Sequence, residues 1–464
     1  MPASLERPEE QARARIMVMD VLRGFAVCGI LFRNVFAFGI PAMAYSLPTI
    51  WSGHDPSEIA SWAFVEMYVD GTMRALFSML FGASAMVLLS RISANRVEQI
   101  DRYYRRLMWL MVFGLVHSYI LLSTFDILFI YGLLGLLLFP LRNLSAKALL
   151  TTAFVGIVIA AIVSELSFEV TTEGEANNAP LNIETMLQGM QESDGPEAVS
   201  PSQTPSADLS GSPQVSQQNP TADAGNTTSG DGTAQEDDMS YEEAISAYVA
   251  PQWLEEITER QDGYVLNVVS LAPTSVANHT TEIFTSHFTD VGILILIGMA
   301  FFKLGIVTGE RSTRFYVVML LLGYGIGLSV NAGETWADWL LVVDGTETPR
   351  WASFTYDIGR ITTAFGHLAM LTLMVRVQLF RQVSNLFAAA GRMALTNYLM
   401  QTIICVNLFF GFGFGLYGEF RHSELLLIAL AISCAQLIGS RIYLHFFSQG
   451  PAEWLWRRLI AWGR

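Results

Sequence analysis

Ten apolar runs are the feature that most restricts what this chain can fold into. They cover residues 17–41, 62–90, 107–123, 126–141, 148–167, 288–308, 315–332, 355–376, 393–411 and 425–447. A hydrocarbon core about 30 Å thick needs roughly 20 apolar residues of helix to cross it, and most of these runs have that length. Inside a bilayer every backbone N–H and C=O must be paired within the segment, which leaves helices as the structure such runs can take. With 52% hydrophobic and 15% charged residues in 464, the chain is expected to be an all-α polytopic membrane bundle of about ten transmembrane helices.

The net charge of −15 does not belong to that bundle. Between Phe168 and His287 there are twenty Asp/Glu and one basic residue, Arg260, which leaves the rest of the chain at +4. Residues 196–238 are rich in Ser, Pro, Gly, Gln, Asn and Thr, and cannot bury enough apolar surface to fold alone. An S-Y-E-E start at Ser240, with Glu243 three residues on, is a capping-box pattern and predicts a short helix to Arg260. The organisation expected is an N-terminal membrane half (1–167), a largely disordered acidic insertion (168–287), a C-terminal membrane half (288–450) and a cytoplasmic interfacial helix (451–464). That last stretch has Pro451 in a first turn and tryptophans among arginines, as an amphipathic helix on a membrane surface would.

Arginines and lysines follow every even-numbered run: Arg91 to Arg106, Arg142 and Lys147, Arg311 and Arg314, Arg381 and Arg392, Arg457 to Arg464. The positive-inside rule then places both termini in the cytoplasm and the insertion outside. The charged segment before the first run and the lack of a small-residue cleavage site predict a retained first helix. No basic, aromatic-interleaved patch supports nucleic-acid binding. Cys28, Cys405 and Cys434 fall in apolar runs without ligand spacing and read as buried packing residues, and the scattered histidines predict no metal site.

Charged and polar residues inside such runs are expensive and are functional candidates by default. The first run carries Asp20, Arg23, Arg33 and Asn34. Asp20 and Arg23 share a helical face, either as an ion pair that fixes the helix or as a contact for a phosphate-bearing donor, which suits the planar guanidinium. Arg74 stands four residues after Asp70 and is expected to pair with it; Asp357 and Arg360 have similar spacing. Asn34 and Asn397 each fit either an interhelical hydrogen bond or a polar cavity wall. His117 lies about ten residues into the third run, and Asp126 returns beside it after a short turn. A neutral imidazole oriented by a carboxylate is the arrangement of a general base.

Four blocks, D-V-L-R-G-F-A-V-C-G-I-L-F-R-N, G-T-M-R-A-L-F-S-M-L-F-G-A, R-R-L-M-W-L-M-V-F-G-L-V-H with D-I-L, and G-R-M-A-L-T-N-Y-L-M-Q-T with G-P-A-E-W-L-W-R, resemble the YeiB-like bacterial multi-pass membrane proteins of unassigned function. The first block more distantly resembles the opening of the transmembrane acyltransferase superfamily, which includes heparan-glucosaminide acetyltransferase and the acyltransferase-3 proteins. There the frame ends in a histidine taken as catalytic, where this chain has Asn34. The resemblance implies a bacterial inner-membrane enzyme with acyl-CoA as cytoplasmic donor, no tightly bound cofactor, and an envelope glycan or lipid as acceptor. His117, Asp126 and Asn34 are then the catalytic candidates, and Asp20, Arg23, Arg74 and Asn397 the substrate-binding ones. Two other classes stay open: a transporter or lipid-handling protein, and a non-catalytic subunit whose insertion recruits an extracytoplasmic partner. Membrane lipids are expected partners and homo-oligomerisation is open.

Overall fold

The structure is a computed structural model, and it describes residues 8–89, 96–175, 241–283, 288–344, 351–377 and 380–462. The expected disorder at 196–238 and the cap residue Ser240 lie outside those residues. Within them there are helices and turns but no strand. In chain order the helices are α1 (Pro8–Gly39), α2 (Pro48–Ser52), α3 (Pro56–Tyr68), α4 (Thr72–Leu89), α5 (Arg96–Tyr119), α6 (Leu128–Leu137), α7 (Ala146–Glu175), α8 (Tyr241–Gln261), α9 (Tyr264–His279), α10 (Phe288–Lys303), α11 (Thr313–Asp344), α12 (Trp351–Arg376), α13 (Arg381–Arg392), α14 (Ala394–Phe409), α15 (His422–Phe446) and α16 (Pro451–Ala461).

Each of the ten apolar runs holds a helix. By length and composition, five described segments can cross a bilayer: Met17–Gly39, Pro56–Leu89, Thr313–Val343, Thr355–Arg376 and His422–Phe446; shorter apolar helices accompany them. The fourth run departs from expectation. Its helix α6 has ten residues, too few for a 30 Å core at 1.5 Å per residue, because Pro140 cannot continue an α-helix and the chain passes into a 3₁₀ turn over Phe139–Asn143.

The first helix is the axis. Val21, Leu22, Ala26, Leu31, Val35 and Phe36 have essentially no exposed surface, and α1 packs against α4, α12, α13, α14 and α15. What lets α13 approach so closely is a reciprocal glycine contact. A Cβ on Gly24 would lie 1.9 Å from the Phe387 carbonyl oxygen, and one on Gly391 would lie 1.9 Å from that of Asp20. Only a side chain of hydrogen allows the two backbones to meet there.

Two helix starts are closed from other parts of the chain. Glu453 of α16 accepts from the Leu395 and Thr396 amides (2.8 and 3.2 Å) at the start of α14, and Glu58 of α3 accepts from the Ser423 amide at 2.9 Å at the start of α15. A carboxylate there satisfies orphan N–H groups and faces the positive end of the helix dipole. Helix α8 opens at Tyr241, and a second helix, α9, follows. Both pack on the bundle, so the described residues of 168–287 hold more helix than the one short helix expected.

Candidate functional site

The site is built on two helix ends, the middle of a third helix and a strained turn. Between α5 and α6 the chain reverses through Ile120–Ile127, where buried Leu122 has φ 62°. A left-handed conformation costs a non-glycine residue about 1–2 kcal/mol, and such strain gathers at functional positions. The reversal lays Asp126 beside the last turn of α5. Its Oδ1 lies 2.8 Å from His117 Nδ1, and its Oδ2 accepts from the Phe129 amide at 2.8 Å, fixing the carboxylate at the start of α6. Gly114 makes room, since a Cβ there would lie 2.5 Å from Asp126 Oδ2.

The His117 side chain is completely buried. Because ionised Asp126 only accepts, His117 Nδ1 carries the proton and Nε2 is left with its lone pair. That lone pair points to Thr402 of α14, whose Oγ1 is 2.7 Å away, so the threonine hydroxyl donates. Asp126, His117 and Thr402 thus form a buried carboxylate–imidazole–hydroxyl line. Thr402 carried no sequence signal that would have linked it to His117, 285 positions away.

Beside this line lies a cavity of about 410 Å³. Its mouth is set by Asp20, Arg23, Arg106, Arg392, Glu453 and Arg457, and its interior by Phe77, Leu80, Phe81, Leu107, Leu110, Ile127, Leu128 and Tyr131. The expected Asp20–Arg23 pair is formed at 2.9 Å, and Arg23 also donates to Ser84 at 3.0 Å. Arg106 stacks over Trp456 of α16, whose indole donates to the Arg106 carbonyl at 3.1 Å, so the C-terminal helix forms one wall of the mouth. Tyr398 lines the cavity, and the same ring packs on His117 with centroids 4.7 Å apart. The cavity therefore ends one aromatic ring from the imidazole.

The other candidates go elsewhere. Asn34 is half-buried on α1 and is not among the residues lining the large cavity. Asn397 is buried between helices, donating to the Ala390 carbonyl (3.1 Å) and Ser440 (3.0 Å), and is not in the cavity wall. The expected Asp70–Arg74 pair is not the one formed. Asp70 takes Arg33 at 2.9 Å, and Arg74 takes Asp290 of α10 at 3.1 Å. Asp70 lies in the turn between α3 and α4, where Gly71 has φ 61°, so Asp70 and Arg74 do not share a continuous helix face. Asp290 also pairs with Arg360, which keeps its expected bond to Asp357. Arg74 thus belongs to an ion-pair chain, not the cavity.

That chain borders a second, polar cavity of about 190 Å³, walled by Glu66, Asp70, Asn331, Glu334, Thr335, Asp338, Tyr356 and Arg360. Of the cysteines, Cys28 and Cys405 are buried as expected, but Cys434 is exposed on the outer face of α15. Among the described residues no group of His, Cys, Asp and Glu has the arrangement to hold a metal ion.

The chain is similar to protein YeiB of Escherichia coli K12, 29% identical with 96% of both chains covered. It is also similar to protein YxaH of Bacillus subtilis 168, 28% identical over 96% of this chain and 93% of that one. The chain thus resembles YeiB along nearly its whole length. Residues 301–463 match the model of a family of proteins of unknown function, DUF418, a region that contains Asn397, Tyr398, Thr402 and α16. A 39.9 kDa protein of Bacillus acidopullulyticus is 36% identical over 22% of this chain and 28% of its own. No solved structure matches the chain.

Proposed function

We propose that this chain is an acyltransferase-like enzyme of a bacterial inner membrane, with both termini in the cytoplasm. It takes the acyl group of a cytoplasmic acyl-CoA and passes it to an envelope glycan or lipid. The observation that carries this reading is the continuity of the large cavity, from a mouth holding four arginines to Tyr398, whose ring lies on His117. Four arginines against Asp20 and Glu453 leave an excess of positive charge suited to phosphates. Guanidinium groups bind phosphate oxygens through forked donors. The apolar walls suit a slender arm carrying a thioester.

The chemistry needs a base and a way out for charge. The acceptor hydroxyl attacks the thioester carbonyl, its proton goes to His117 Nε2, the C–S bond breaks and the thiolate leaves. Asp126 holds the imidazole in the tautomer with a basic Nε2 and stabilises the imidazolium that forms. Thr402 must release Nε2 for this, and Tyr398 must turn aside to join the cavity to it.

The test is binding of palmitoyl-CoA to the purified full chain in nanodiscs, read by calorimetry. Arg23→Ala should weaken binding about tenfold or more, since a hydrogen bond to a charged group is worth about 1.5–3 kcal/mol. Arg23→Lys should lose part of that through its missing fork. Equal binding by all three proteins would reduce Arg23 to the Asp20 ion pair.

A second reading, transport, has its own observation. Arg23 and Arg33 are ten residues apart on α1, about 15 Å along the axis, and the two cavities lie at these two levels. Tyr131 in the first cavity bonds Ser78 at 2.8 Å, and Ser78 bonds the Arg74 carbonyl at 2.8 Å. From Arg74 the Asp290–Arg360 pairs lead to the second cavity. Movement of an intact acyl lipid across vesicles reconstituted with the chain, without acyl transfer, would favour this reading.

A further inference from the structure

Asp126 has a second histidine beside it. Helix α9 ends in His279, whose Nε2 lies 4.0 Å from Asp126 Oδ2 and whose side chain is 6% exposed. Its Nδ1 is 3.4 Å from the Tyr119 hydroxyl, and its ring packs on Phe129 with centroids 4.6 Å apart. The placement is held from several sides. Asn278 donates to the Thr124 carbonyl at 2.7 Å, and Tyr264 donates to that of Ile120 at 2.7 Å. Buried Ser118 and Ser275 face one another at 3.5 Å. The whole helix is therefore stapled onto the strained turn that presents Asp126. Directly after His279 the chain is exposed at Thr280 and Thr281, so this imidazole stands between the buried carboxylate and the exterior.

We propose that His117, Asp126 and His279 form one buried protonation unit, in which His279 is the positioning residue that passes protons between Asp126 and the insertion side of the bundle. The proposal deepens the reading of His117 as a base and rests on it. At rest the unit carries one negative charge: His117 is protonated at Nδ1 only, Asp126 is ionised and His279 is neutral. When His117 Nε2 takes the proton of an acceptor hydroxyl, the unit becomes neutral. The Nδ1–H bond then breaks, its proton passes to the Asp126 carboxylate, and from there to His279 Nε2 after a small rotation closes the 4.0 Å gap. Release from His279 to solvent restores the single negative charge. One proton enters at Nε2 of His117 and one leaves at His279, which leaves His117 neutral with its proton on Nε2. Loss of that proton to the departing thiolate and return of one proton through His279 and Asp126 to Nδ1 restore the resting tautomer.

The titratable groups that face the unit are few. His279 meets Asp126 and Tyr119; His117 meets Asp126 and Tyr398; Asp126 is also influenced by Tyr131. Burial moves His279 below its ordinary value while Asp126 pulls it back up, as expected of a group that gives its proton away readily.

Deuterium exchange at the imidazole C2–H, followed residue by residue by mass spectrometry across pH on the full chain in nanodiscs, reads each histidine's titration. Groups that share a carboxylate titrate as a pair. Thus His117 and His279 should each give a curve broader than a single site in the unsubstituted protein. In His279→Gln the Asp126 charge serves His117 alone, and the His117 midpoint should rise by about half a unit or more. Two ideal single-site curves in the unsubstituted protein, or an unmoved His117 midpoint in folded His279→Gln, overturn the proposal. Failure of acyl transfer would strike the functional reading but leave these titrations as they are, so the two failures are distinguishable.

Discussion

At the scale of single residues, the Thr402–His117–Asp126 line combines a structural duty with a chemical one, and substitution separates them. Thr402→Val keeps the shape of the side chain but removes the donor to His117 Nε2. A buried acceptor left without its partner costs about 1–3 kcal/mol, which should appear as a lower unfolding midpoint in detergent. Thr402→Ser should restore most of it, because the hydroxyl is kept. Equal stability of the valine variant would mean that Nε2 has another donor. His279 adds a dependence on pH. Its value lies below the unfolded 6.5, so the native state binds fewer protons than the unfolded chain once pH falls below about 6.5. Its contribution to stability is fully present above that pH and is lost as pH falls through the folded value. Limited proteolysis should therefore cut α9 faster at pH 5 than at pH 7.5, and His279→Gln should flatten that difference.

At the scale of elements, close helix approach is what makes the mouth of the large cavity. The Gly24–Gly391 contact brings α1 and α13 together beside Asp20, Arg23 and Arg392. Gly24→Ala or Gly391→Ala pushes a methyl against backbone, which cannot move as a flexible side chain can. Overpacking of this kind typically destabilises by about 1–3 kcal/mol, and the separation of the two helices should also weaken palmitoyl-CoA binding. Gly439 on α15 is the control, with nothing within 4 Å of a Cβ. Gly439→Ala should be neutral or stabilising by up to about 1 kcal/mol through helix propensity. Matching losses at all three positions would show that glycine acts there through backbone freedom and not contact.

At the scale of the whole molecule, orientation decides which compartment each cavity serves. The orientation proposed from the positive-inside rule would put the four-arginine mouth on the cytoplasmic side and the insertion, with α9 and His279, outside. Single cysteines placed between residues 200 and 238 of a cysteine-free variant should react with a membrane-impermeant thiol reagent in intact cells. Labelling that appears only after lysis would invert the molecule, and with it the assignment of the mouth to a cytoplasmic donor.

Much of this was already written in one dimension. Apolar runs of bilayer length dictate helices because the backbone has no other partner in hydrocarbon. Spacings of three dictated the Asp20–Arg23 and Asp357–Arg360 pairs, which lie on one helical face whatever surrounds them. The short turn between two runs was enough to return Asp126 to His117. What lay beyond the sequence was every choice between helices. The partners of Asp70 and Arg74 came from α1 and α10, Thr402 reached His117 across 285 residues, and His279 arrived from an acidic insertion that composition marked as largely disordered. Periodicity states which face of a helix is polar, but the neighbour that face meets is set by backbone packing, here by the glycines that let α1 and α13 touch and by the staples that hold α9. The cavity belongs to this second class, since it is the space that six packed helices and the C-terminal wall leave between them.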